Sequence, residues 1–172
     1  ASMGTAATAY TLNMDGNLIA SAGTLIAPAS ATLFTYSGAI WVTPTVFTHS
    51  SGTIVFDLAG TTDIANASTQ FNAVTVSDGT TITHTTLAVT CAGALTIGGG
   101  VSGAWTPTTG TLTANGAVTV NSGGTLGGNT AWTGVINANV TNSGGTIHLG
   151  TGTKTVAANT TIANTTGTLN VN

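Results

Sequence analysis

The sequence predicts an all-β fold: a parallel β-solenoid (β-helix) of ~20-residue coils with an atypical N-terminal cap. Three observations predict it. Charged residues make up 3% of the 172 positions against 41% hydrophobic, and threonine, with 40 copies, takes the place of charge. Short runs that alternate apolar with Thr or Ala recur between Gly-rich turns, the period of a strand with one buried face. A six-residue motif returns at offsets of 21 and 22 residues in the C-terminal third, the size of one supersecondary unit.

The composition also excludes. Glu, Lys, Arg and Gln lose least on entering a helix. Here there is no Glu and no Arg, Lys154 is the only base, and the acids are Asp15, Asp57, Asp63 and Asp78. Thr is β-branched and suits an extended, half-buried surface. Ordinary disorder combines low hydrophobicity with high net charge, which this chain does not. No run approaches the ~20 apolar residues of a membrane-spanning helix, so no membrane insertion is expected. One lysine makes no basic patch, so neither nucleic acid nor anionic lipid is an expected partner.

Residues 1–50 read as a cap or as a strand segment exchanged with a neighbour. Pro28, Pro44, both Tyr and both Met fall here. Leu33-Phe34-Thr35-Tyr36 and the stretch from Val42 to Phe47 are bulky. Terminal solenoid units are atypical because they cover an open core end; the alternative is insertion into another subunit. Residues 51–172 read as the repeat body, continuous with the cap in one domain. Its runs include Thr53-Ile54-Val55-Phe56, Ala73-Val74-Thr75-Val76, Ala94-Leu95-Thr96-Ile97, Thr111-Leu112-Thr113 and Ala117-Val118-Thr119-Val120.

The repeat is Asn121-Ser122-Gly123-Gly124-Thr125-Leu126, then Asn142-Ser143-Gly144-Gly145-Thr146-Ile147, then Asn164-Thr165-Thr166-Gly167-Thr168-Leu169. A less regular echo, ending in Trp41, Trp105 and Trp132, reads as a marker of corners or loops. The fold alternative is a β-sandwich subunit with donor-strand exchange, which requires antiparallel pairing.

A search for reactive groups predicts no catalytic residue, no cofactor and no metal site. Asp15 and Asp78 each precede Gly in turn sequences. Asp57 and Asp63 lie on either side of Leu58-Ala59-Gly60 and read as strand ends. Lys154 reads as a solvated turn or edge charge that discourages stray pairing. His49, His84 and His148 lie in separate segments, where a metal needs convergent ligands. Gly98-Gly99-Gly100-Val101-Ser102-Gly103 fits G-x-G-x-x-G, yet Trp105-Thr106-Pro107 follows where the nucleotide fingerprint needs a helix, so it reads as a flexible corner. Cys91 reads as a buried small hydrophobe, with an intermolecular crosslink as the alternative. Asn66, Asn139, Asn159 and Asn164 head N-x-[ST] sequons and are candidate glycosylation sites.

Trp41, the stretch from Phe47-Thr48-His49-Ser50-Ser51-Gly52 through Thr53-Ile54-Val55-Phe56-Asp57, and the segment from Ile64 to Phe71-Asn72-Ala73-Val74-Thr75-Val76 carry a resemblance. They look like bacterial and archaeal β-strand-repeat surface proteins, including autotransporter-like and filamentous-haemagglutinin-like passenger regions. Phage fibre modules look similar. The resemblance covers residues 41–126 and extends loosely beyond. It implies a secreted scaffold at a cell or virion surface, fibrous or adhesive, and transfers no catalytic residue.

The functional expectation is assembly. Natural β-proteins protect sheet edges with charge or proline, and this chain has almost none. Neutral, Thr-rich β surfaces continue pairing with further copies. The expected partner is therefore the chain itself, in a homopolymer or homo-oligomer, with host or environmental glycans as the alternative for an adhesin. The candidate interface comprises Tyr10, Leu12, Leu18, Ile19, Leu25 and Ile26 near one end and Thr168, Leu169 and Val171 at the other. The start, Ala1-Ser2-Met3-Gly4, suits a mature chain after cleavage or an expression remnant.

Overall fold

The computed structural model describes residues 11–20, 22–26, 33–42, 46–65 and 68–171. These residues form 23 strands and no helix, and every strand-to-strand ladder is parallel. The first side is an eight-stranded sheet of β1 (Thr11–Met14), β4 (Leu33–Tyr36), β7 (Thr53–Phe56), β10 (Ala73–Val76), β13 (Leu95–Ile97), β16 (Val118–Asn121), β19 (Val140–Ser143) and β22 (Ile162–Asn164). The second, also eight-stranded, holds β2 (Leu18–Ile19), β5 (Ile40–Val42), β8 (Gly60–Ile64), β11 (Thr80–Thr83), β14 (Ala104–Trp105), β17 (Thr125–Gly127), β20 (Thr146–His148) and β23 (Thr168–Asn170). On the third side β3 (Thr24–Ile26) pairs β6 (Val46–Thr48), and β9 (Ser68–Phe71), β12 (Ala88–Cys91), β15 (Thr111–Ala114), β18 (Thr133–Ile136) and β21 (Lys154–Val156) form a separate five-stranded sheet.

The chain is thus a β-solenoid whose strands run as seven sets of three and a final pair. Parallel ladders exclude the donor-strand sandwich. One coil advances by 20 residues where Leu33 pairs Thr53 and by 23 where Leu95 pairs Val118. The strands of the expected cap stack in the same way: β1 pairs β4, and β4 pairs β7, in register. What sets that end apart is its side chains.

Alternation decides which groups enter the core. In β7, β10, β15 and β18 half-buried and buried positions alternate strictly. On the first side the inward column runs Leu12, Phe34, Ile54, Val74, Leu95, Val118, Val140 and Ile162. The outward neighbours Thr75, Thr96, Thr119 and Thr141 stack as a threonine column. Toward the N-terminus the core is aromatic. Tyr36 meets Trp41 edge-on at 4.8 Å between ring centroids, and Phe71 lies 5.5 Å from Trp41 and 5.7 Å from Phe56. Each such apolar side chain contributes roughly 1.5–3 kcal/mol on burial. From the fourth coil onward Val, Leu and Ile dominate, broken by Trp105 and Trp132.

Three expectations change. Trp41 and Trp105 do not mark corners: both sit in strands of the second sheet, fully buried, and only Trp132 lies in a corner. The glycine-rich corner is not free, because the Asp78 carboxylate accepts hydrogen bonds from the backbone N–H of Gly99 (2.7 Å), Ser102 (2.9 Å) and Val101 (3.3 Å). Lys154 sits on an edge strand, as one of its two readings had it, yet is not fully solvated. It occupies the inward column above Gly134 and is half-buried.

Candidate functional site at the ends of the stack

The last coil leaves its core row uncovered. In the coil below, Ile136, Val140 and Ile147 are 6%, 3% and 4% exposed. Their stacked successors are Val156, Ile162 and Leu169. Val156 is 42% exposed, Leu169 37%, and Val171 just beyond β23 is 71% exposed. Ile162 is half-buried. β21, β22 and β23 are the terminal strands of their sheets, so their outer edges present unpaired backbone groups. A cavity of about 60 Å³ opens between Trp132, Leu126, Ile136, Ile147, Leu149 and Ile162.

Lys154 closes one side of this end. Its stem runs past Gly134, where a Cβ would fall 2.7 Å from the lysine Cδ and 2.9 Å from Trp132 Cζ3. The ammonium lies 4.1 Å from the Trp132 ring centroid and donates to the carbonyls of Trp132 (2.5 Å) and Gly152 (3.0 Å). Burial holds its pKa below the usual lysine value. Such an inward-pointing charge on an edge strand is one of the ways β-proteins limit unwanted pairing.

Asparagine forms a second feature of this end. Asn142, buried in the first sheet, donates from Nδ2 to Asn164 Oδ1 (2.8 Å) and the Thr168 carbonyl (3.2 Å). Gly145 N–H donates to Asn142 Oδ1 (3.0 Å). Asn170 and His148 meet at 2.9 Å on the outer face of the second sheet.

The expected interface residues divide between the opposite ends of the stack. Leu12 and Leu18 face inward in the first coil and are half-buried, Leu25 is buried, Ile26 is half-buried, and Ile19 is 66% exposed on the outer face. Thr168 faces outward and is exposed. Tyr10 lies outside the described residues. The sequence reading missed Val156, Ile162 and Trp132 at the C-terminal end. The signal was available: Thr133-Gly134-Val135-Ile136 and Thr153-Lys154-Thr155-Val156 align one coil apart.

The sequons differ in access. Asn159 is exposed in a turn, with φ of +63°. Asn139 is exposed, and its Oδ1 accepts from Thr161 N–H (3.0 Å). Asn164 uses its Nδ2 to donate to the Gly167 carbonyl (2.8 Å). Asn66 lies outside the described residues.

Reactive groups are dispersed. Among the described residues no group of three or more His, Cys, Asp or Glu is placed to hold a metal ion. His84 is buried in the core while His148 is half-buried on an outer face. Cys91 is fully buried between Phe71 and Ala114 in its column, and burial pushes its thiol up to about 12. A thiol so protected forms no crosslink between folded copies. Among the described residues no helix is long and apolar enough to cross a membrane. Comparison with protein-family models, with curated proteins and with solved structures finds no match to this chain.

Proposed function

We propose that this chain is a structural subunit of an extracellular fibre or surface scaffold that assembles by stacking its coils end to end with further copies. The observation that carries this reading is the stack itself: three parallel sheets pair coil upon coil in register with almost no charge to guard their edges, and the inward columns run on through Val156, Ile162 and Leu169, the row on which a further coil would sit. A coil laid on this end would bury that apolar row and pair the free edges, which is how each coil within the stack is held. The first coil of a second copy offers the matching inward row, Leu12, Leu18 and Leu25. Joining unlike ends is a heterologous contact that does not close, so it propagates as a filament.

Two further points support structure over catalysis. The four carboxylates and one amine are spread along the chain, and the four held by neighbours, Asp57, Asp63, Asp78 and Lys154, serve local contacts. Aromatic platforms for stacking sugars are also lacking: among the described residues no aromatic ring is exposed. This favours the scaffold over the glycan-binding adhesin. If the owner glycosylates, Asn159 is the first sequon expected to carry sugar.

Electron microscopy and sedimentation test the reading together. The wild-type protein is expected to form concentration-dependent linear assemblies. Leu169→Asp, which places a charge on the uncovered row, is expected to remain monomeric with an unchanged far-UV spectrum. Monodisperse monomers of wild type across micromolar to millimolar concentration would falsify the proposal.

A further inference from the structure

We propose that His84 is an acid-sensitive latch in the middle of the solenoid, whose protonation releases the fourth coil (β10–β12) from the fifth (β13–β15) at the corner between the second and third sheets. His84 follows β11 directly and its side chain is fully buried. Trp105 on β14, one coil further on, donates its indole N–H to His84 Nδ1 at 3.1 Å. The rings stand perpendicular, 86° apart with centroids separated by 6.2 Å. Gly110, ahead of β15, lies against the imidazole, where an added Cβ would fall 2.5 Å from His84 Cδ2. The histidine is therefore held by both flanks of the next coil.

That hydrogen bond assigns the tautomer: Nδ1 accepts, so the single ring proton sits on Nε2, which has no hydrogen-bond partner of good geometry. A second proton can go only to Nδ1, where the Trp105 N–H already points. Protonation therefore sets two N–H groups against each other and leaves a charge in the core without a counter-ion. No acid compensates. Asp63 on β8 is exposed on the outer face, where it accepts from Thr83 Oγ1 (3.3 Å), and β11, β14 and β15 present no other titratable group to the ring. Burial pushes the imidazole down to about 4, and the Thr111 backbone offsets only part of that.

The direction of the effect follows. The closed corner excludes the proton and the open corner accepts it at the ordinary histidine value near 6.5. The opening equilibrium therefore rises about tenfold for each pH unit below ~6.5 and levels off below the buried value, a total of roughly 300-fold. Each coil contacts only its neighbours, so opening at one corner leaves the coils beyond it folded.

Amide hydrogen exchange between pH 7 and pH 4.5, corrected for intrinsic rates, tests the latch above the range where the carboxylates protonate. The wild-type protein is expected to gain roughly 60-fold in opening at residues 84–87 and 106–110 over this range, with the Trp105 indole proton moving in step. His84→Gln keeps an acceptor for Trp105 and carries no charge, so the same segments should show a flat pH profile. A flat wild-type profile, or an equal rise in His84→Gln, overturns the proposal. If that variant does not fold, the imidazole titration of the wild type decides: a midpoint near 4, where the gain in exchange levels off, supports the latch, and a midpoint near 6.5 refutes it.

Discussion

Asn121 and Asn142 open the same motif in the sequence, yet one faces out and the other lies buried in the core. On the first sheet Val120 pairs Asn142 and Asn121 pairs Ser143, a step of 22 residues. On the second sheet Thr125 pairs Thr146, a step of 21. The corner of the seventh coil is one residue shorter than that of the sixth, and a one-residue slip turns a strand side chain to the opposite face. Asn142 is tolerated inside because both ends of its amide are satisfied, by Asn164, Thr168 and Gly145. Asn142→Ala should therefore cost about 1–3 kcal/mol in a denaturant melt, since it strands the Gly145 N–H and the Thr168 carbonyl. Asn142→Asp would add a buried charge beside two acceptors and should be worse. An unchanged melting midpoint for Asn142→Ala would mean that water restores those partners. The motif was legible in the sequence. Its slip was not, because the slip depends on how the preceding coil seats the strand, not on any residue within the motif.

At the scale of one element, the Gly98–Gly103 corner explains its own glycines. Gly98, Gly100 and Gly103 have φ of +81°, +136° and +105°, conformations that favour glycine. At Gly103 a Cβ would also fall 2.9 Å from the Gly98 Cα and from the Ser77 carbonyl oxygen. The glycine-rich loop wraps a carboxylate of the protein itself, with its N–H groups turned toward Asp78, as such loops elsewhere wrap anions. Those donors, Ser102 foremost, hold the Asp78 carboxyl below the ordinary aspartate value. A lowered carboxyl contributes stability above the unfolded value and loses it as pH falls through the folded one. The corner should thus be ordered at neutral pH and loosen only below about pH 4. Asp78→Ala should loosen it at pH 7. Limited proteolysis at Val101, 80% exposed at the tip of the corner, reads this directly: faster cleavage is expected in Asp78→Ala at pH 7 with little change in overall melting. Equal cleavage rates in the two proteins would show that the backbone alone holds the corner. The sequence identified Asp-Gly and the glycine cluster as two separate turns. Only the stacking of one coil on the next brings the two together.

The whole molecule has a gradient from one end to the other. The second and third coils hold a network of edge-to-face rings in which Trp41 contacts Phe47, Phe56 and Phe71, and such pairs contribute roughly 0.5–1.5 kcal/mol beyond their area. The middle coils are closed and mainly aliphatic apart from the Trp105–His84 pair, with Leu95 and Leu112 fully buried. The last coil is half open. Alternation of apolar and small polar residues made the coils legible in the sequence, and the bulky residues before position 50 were legible as different. Their role as an aromatic core was hidden, because ring contacts join residues that are distant in sequence. In a quasi-one-dimensional stack, stability is a sum of coil and interface terms, so unfolding should start where an interface is missing. Hydrogen exchange should therefore be slow in β7–β16 and fastest in β22 and β23 of the isolated chain. Substitutions should follow the same order: Leu95→Ala is expected to cost about 2–5 kcal/mol, and Leu169→Ala less than about 1 kcal/mol, because its side chain is already partly in water. In the proposed assembly a further coil would cover Leu169, so its truncation should become several-fold more costly under assembling conditions while that of Leu95 stays the same. If Leu169→Ala costs the same at dilute and assembling concentrations, the uncovered coil is not the surface through which copies join.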